Sequence, residues 1–116
     1  MNHSINHIVN NNILQMNEAG IDVIFDWPIA DVLCIDDVLV IRIEPDPGTC
    51  FNENVYGVSK SGNIIWRVEK RRHIYDDSPY TSIIAKDHFV KLFNWDGDEL
   101  LVDPTNGKVI DVGYRK

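Results

Sequence analysis

The pattern of the sequence predicts a mainly β fold: an antiparallel meander of about eight short strands, a curled sheet or small sandwich, over residues 21–116. Residues 1–20 are expected to precede it as a short helix or an arm. Three observations carry the fold class. Apolar residues recur with period two from Ile21 onward, as on a half-buried strand. Turn-forming dipeptides cut these runs: Asp36-Asp37, Asp96-Gly97 and Asn106-Gly107. No ten-residue amphipathic stretch separates the runs, which disfavours a parallel α/β arrangement.

At the N-terminus, Ile5, Ile8, Val9, Leu14 and Met16 have a loose helical spacing and Gly20 is a stop signal, against an Asn content that lowers helix propensity. Val23, Phe25 and Trp27 alternate with polar or outward positions, and Pro28 ends that strand. Residues 32–35 and 38–44 form a hairpin about Asp36-Asp37. Pro45-Asp46-Pro47-Gly48 breaks the ladder. Residues 54–59 and 63–69 pair about Ser61-Gly62-Asn63, with Ile64, Trp66 and Val68 on one face and Trp66 expected in the core. Residues 70–79 read as a polar loop. Residues 80–86 and 88–95 form the next pair, and there Phe89, Phe93 and Trp95 share a partly buried face with Lys91. Residues 99–103 and 108–112 complete the meander.

Composition bounds the rest. A chain of 116 residues, 44% hydrophobic, makes one domain with one modest core, 1–116. Multidomain enzymes, long solenoids and closed propellers are excluded on length. The net charge of −7 opposes a general affinity for nucleic acid or an anionic membrane. Apolar runs such as residues 38–41 fall far short of the roughly 20 residues of a membrane helix. The Asn-rich start lacks a basic segment before an apolar block, so no secretory signal is expected, and Cys34 and Cys50 read as reduced, buried thiols of a cytoplasmic protein. The acidity is uneven: residues 1–58 sum to −8 and residues 59–116 to +1. Such asymmetry marks either an interaction surface or a solvated face.

Four groups of residues carry side chains capable of chemistry. His3 and His7 stand at a helical metal-ligand spacing, but with no acid or Cys beside them solvated polar residues are the better account. Asp96-Gly97-Asp98-Glu99 resembles a fragment of a calcium loop without its regular ligand spacing, so turn chemistry explains it. Cys50 with His73 or His88 would supply a nucleophile and base, without any activating motif. Lys70-Arg71-Arg72-His73 is a basic cluster followed by Asp76-Asp77, as in a locally neutralised surface loop. No cofactor and no metal is expected.

Two resemblances add to this. Residues 54–68 resemble the repeat of quinoprotein-type β-propellers, with an apolar strand, a Gly turn and an apolar pair ending in Trp66; residues 100–110 look like a second copy lacking the Trp. Two copies imply the hairpin geometry only. The run Phe25-Asp26-Trp27-Pro28-Ile29, with Val40-Ile41-Arg42-Ile43-Glu44-Pro45, Asn52-Glu53-Asn54-Val55-Tyr56-Gly57-Val58, Ile65-Trp66 and Asn94-Trp95-Asp96-Gly97, is similar to small acidic bacterial immunity proteins of polymorphic or contact-dependent toxin systems. That resemblance implies a non-enzymatic module that binds a basic toxin domain such as a nuclease. The residues expected to bind the partner are Asp22, Asp26, Trp27, Asp31, Asp36, Asp37, Glu44 and Asp46, with Trp27 as the anchor. The chain itself is expected as a monomer or weak dimer. Two other readings stand beside it: a small hydrolase or transferase using Cys50 or a histidine, and a module that dimerises through strand edges.

Overall fold

The computed structural model describes residues 5–114, and among them the period-two runs become eleven strands with no helix. β1 (His7–Asn10), β2 (Ile13–Met16) and β3 (Ile21–Ile24) make the first sheet. β4 (Ile29–Ile35), β5 (Val38–Ile43), β6 (Val55–Ser59) and β7 (Ile64–Arg67) make the second. β8 (Tyr80–Lys86), β9 (Phe89–Asn94), β10 (Asp98–Val102) and β11 (Val109–Tyr114) make the third. Every ladder is antiparallel and joins sequence neighbours, so the fold is a meander cut into three sheets.

The turns follow local chemistry. Asp36 and Asp37 take φ of 45° and 67°, the two left-handed residues of a primed turn, and close the β4–β5 hairpin between Ile35 and Val38. Asp87 (φ 54°) does the same work between β8 and β9. The N-terminal expectation is corrected here. Residues 7–16 form a hairpin turning at Asn11 (φ 57°), not a helix. Asn11 and Asn12, two of the asparagines that weaken the helical reading, are the turn residues, and asparagine tolerates the left-handed region that Asn11 takes. Leu14 and Met16 face inward with a strand's period of two. The strand total among the described residues rises from about eight to eleven because residues 5–20 hold two strands and the runs downstream make nine.

The second sheet is the middle layer. Leu39, Ile41, Ile43 and Val58 on one face pack with Leu14, Met16, Val23 and Phe25 of the first sheet. Val38, Val40, Val55 and Trp66 on the other face pack with Tyr80, Ile83, Val90, Leu92, Leu100 and Val102 of the third. β5 therefore has all six residues buried, alternating between two cores. Trp66 shows how tightly the second and third sheets meet. Its indole N–H donates to the Pro104 carbonyl at 2.7 Å. A Cβ on Gly57 would run into its ring, and one on Gly107 would come within 2.7 Å of it. The indole thus lies between two glycines, one on the adjacent strand and one across the core. The two hairpins that look alike in sequence, β6–β7 and β10–β11, face each other through this contact. Asn54 adds a buried polar tie: its amide donates to the Ile43 and Tyr80 carbonyls, both at 2.9 Å, and accepts from the Tyr80 N–H at 2.8 Å.

Candidate functional site

The Pro45–Gly48 breaker releases the chain from β5, and residues 49–54 lead it back into β6. This return places Phe51 on Trp27, the rings tilted with centroids 4.6 Å apart. Trp27 lies in the link between β3 and β4, so rings from two loops meet where the first and second sheets join. The Arg67 guanidinium sits over Phe51 at 4.6 Å and over Tyr56 at 5.4 Å, and its Nε–H donates to the Glu53 carbonyl at 2.7 Å. Tyr56 also packs on the buried Phe25 at 5.1 Å. Burial pushes the Tyr56 hydroxyl above its usual pKa, Arg67 opposes this, and the carboxylates of Asp26 and Glu53 add to it. The result is a half-buried group of rings, Trp27, Phe51 and Tyr56, bordered by acidic side chains.

The eight acidic and aromatic positions expected to bind a partner do not share one location. Asp26 and Trp27 stand together in this group. Glu44 is backbone-bonded to Pro28, its N–H meeting the Pro28 carbonyl at 2.8 Å, and Asp46 is exposed in the proline turn. Asp31 and Glu44 take the guanidinium of buried Arg42, at 2.5 and 2.8 Å. Burial would lower the Arg42 pKa, but the hydrogen bonds it donates to these two carboxylates, and their charge, raise it overall. Asp36 and Asp37 sit at the other end of the β4–β5 hairpin, roughly 20 Å away along a seven-residue strand. There Asp36 faces His88 at 3.1 Å. Asp22 is exposed on β3, opposite Gln15 of β2. Phe51, Glu53, Tyr56 and Arg67 were missed in the sequence: a ring in an aperiodic loop carries no signal, and Tyr56 reads only as one face of a strand.

Among the described residues, His73 and His88 each face an aspartate, Asp96 and Asp36, and the Cys50 thiol meets a backbone carbonyl. Both cysteines are exposed rather than buried, and no disulfide joins them. Each lies where its strand or loop faces solvent, Cys34 on the outer strand of the second sheet. The Cys50 thiol donates to the Asp76 carbonyl at 3.1 Å, and the neighbouring Asn52 amide donates to the same carbonyl at 2.8 Å. His7 sits on β1 with Nδ1 2.8 Å from the Ile5 carbonyl, and His3 lies outside the described residues.

The loop of residues 70–79 is fastened to the β9–β10 turn. His73 Nδ1 lies 3.0 Å from an Asp96 carboxylate oxygen, with both side chains almost fully covered. The other Asp96 oxygen accepts the Asp98 N–H at 2.9 Å. Burial alone would raise the Asp96 pKa, but the Asp98 N–H, the His73 ring and the Ile74 N–H together hold it below the usual carboxylate range. Ligand atoms of His73, Asp96 and Asp98 all stand within 4.8 Å of one another. Among the described residues, no helix is long and apolar enough to cross a membrane.

Comparison with known families matches residues 5–114 to the model of a domain of unknown function, DUF7957, and the chain belongs to that family. No curated protein and no solved structure matches it.

Proposed function

We propose that this member of the DUF7957 family is a non-catalytic, acidic binding module that docks a basic protein partner through the Trp27 end of its first two sheets. The single observation carrying this reading is the half-buried trio Trp27, Phe51 and Tyr56 with Asp26 and Glu53 at its border. Binding hot spots concentrate aromatic rings of this kind inside a polar rim. The net charge of −7 favours fast, salt-sensitive encounter with a basic partner. The partner class that fits is the effector domain of a toxin that itself binds phosphates, such as a nuclease, which makes this chain an immunity protein acting in the cytoplasm. Asp26, Glu44 and Asp46 lie at this end; Asp36 and Asp37 are too distant to join the same contact.

The test is to titrate the purified chain with the product of the adjacent gene at two salt concentrations, and to co-express the two in cells. The expected result is a 1:1 complex that weakens with salt, protection of the cells, and loss of at least about tenfold in affinity for Asp26→Lys and about 30-fold for Trp27→Ala. Asp26 is exposed, so its variant leaves folding unchanged. A chain that neither binds nor protects against any such basic effector overturns the reading.

A second reading has one observation of its own. β11 is the outer strand of the third sheet, and Ile110, Val112 and Tyr114 are exposed along it, as on an edge open to strand pairing. A dimeric mass in solution that becomes monomeric in Val112→Lys would support pairing of two copies there.

A further inference from the structure

At the end of the core between the second and third sheets, where the 70–79 loop closes over the β9–β10 turn, several polar groups are gathered. Asn94 and Ser78 are fully buried, and the Asn94 amide donates to the Ser78 carbonyl at 2.9 Å. The Asn94 side-chain oxygen in turn accepts the Asp96 N–H at 3.0 Å. These bonds hold Asp96 and the loop rigidly in relation to one another. Two buried atoms nearby have no hydrogen-bond partner: the hydroxyl of Tyr80 and Nε of Arg71. Tyr80 is 1% exposed. Its ring meets the His73 imidazole edge-on, centroids 6.4 Å apart. Burial raises its pKa far above the ordinary phenol value; through space Arg71 opposes this, and the carboxylates of Asp96, Glu53 and Asp98 add to it. The orphaned hydroxyl thus belongs to a ring that packs on His73, a member of the His-Asp-Asp cluster. An unpaired buried hydroxyl is costly, and such a group calls for a partner.

From this geometry we infer that His73, Asp96 and Asp98 bind a divalent first-row transition-metal ion, zinc first among them, which ties the 70–79 loop to the β9–β10 turn. The 3.0 Å between His73 Nδ1 and the Asp96 oxygen is already the spacing of adjacent ligands around an ion with bonds of about 2.0–2.2 Å. The Asp98 carboxylate, half-exposed at the start of β10, closes the third position by a change of rotamer. An imidazole with two carboxylates favours zinc, manganese or iron over calcium and magnesium, which prefer oxygen alone. Two carboxylates against the single charge of Arg71 leave the site anionic before an ion arrives, and for the same reason it repels a phosphate. The Tyr80 hydroxyl then gains a partner in a water or other oxygen ligand on the ion. Such outer partners orient and strengthen a metal site.

The experiment uses the full chain, stripped with a chelator and titrated calorimetrically with zinc chloride, with thermal melts alongside. One zinc per chain is expected, with a rise in Tm of several degrees at about 100 times Kd. Asp98→Asn and His73→Gln should each weaken binding at least about 100-fold, and Tyr80→Phe about tenfold. On the unsubstituted chain, zinc should shift the NMR signals of the His73 ring and leave those of His88 in place, which keeps the test decisive should a variant misfold. Cobalt in place of zinc should show bands of nitrogen and oxygen ligation. A folded chain that takes up no zinc, manganese or cobalt overturns the inference and leaves His73–Asp96 a plain hydrogen-bonded pair. It is equally overturned by uptake that survives both ligand substitutions, by a thiolate-to-cobalt charge-transfer band from Cys34 or Cys50, or by uptake lost in His7→Gln.

Discussion

Single residues decide how closely the layers approach. Gly57 stands on β6 because the neighbouring strand lays the Trp66 indole across its backbone, and any side chain there would displace a ring that Gly107 confines from the opposite side. Gly57→Ala should therefore cost about 2–3 kcal/mol in urea unfolding, and Trp66→Leu should relieve much of that cost in the double variant. Additive losses would show that the two positions do not compete for space. Trp66 was legible in the sequence as a core residue from its place on the apolar face of a strand. Its two glycine partners were not, since one is nine residues upstream and the other lies in the β10–β11 turn, across the core. The His73–Asp96 contact has the same character. The sequence shows Asp96-Gly97-Asp98 as a turn, and the bonds within that turn agree; the imidazole that completes the cluster arrives from 23 residues away.

At the scale of elements, the hairpins are where sequence and structure agree best, because a two-residue turn is a local event. Asp36-Asp37 is the clearest case. Two aspartates in the left-handed region close the loop, although Asn-Gly fits that geometry with less strain. The paired replacement Asp36→Asn with Asp37→Gly should raise stability by about 1 kcal/mol, read as a higher urea midpoint at unchanged slope. The lost contact of Asp36 with exposed His88 subtracts little, since surface pairs are weak. A lower midpoint would mean that the turn is held by the flanking strands and not by its own residues. The N-terminal hairpin was misread for a related reason: four-residue strands are too short to establish a period of two, and Asn11 signals a turn only once its left-handed conformation is known.

The whole molecule depends on β5, which supplies both cores. Leu14→Ala empties part of the core between the first and second sheets, and Leu92→Ala part of the core between the second and third. Each should cost about 2–5 kcal/mol, and in both variants far-UV circular dichroism and tryptophan fluorescence should lose the fold in one shared transition. A Leu14→Ala chain that loses part of its dichroism in a separate, earlier transition would show the first sheet to be a separable unit. The alternation of apolar residues and the turn chemistry between them determined an antiparallel meander from the sequence by itself, since both act over a few neighbouring residues. How that meander divides into three sheets, which sheet is sandwiched, and which acidic side chains meet Trp27 or Arg42 were decided by tertiary packing. Those outcomes depend on which apolar faces cover one another, and a residue's period along its own strand contains no record of the face it will meet.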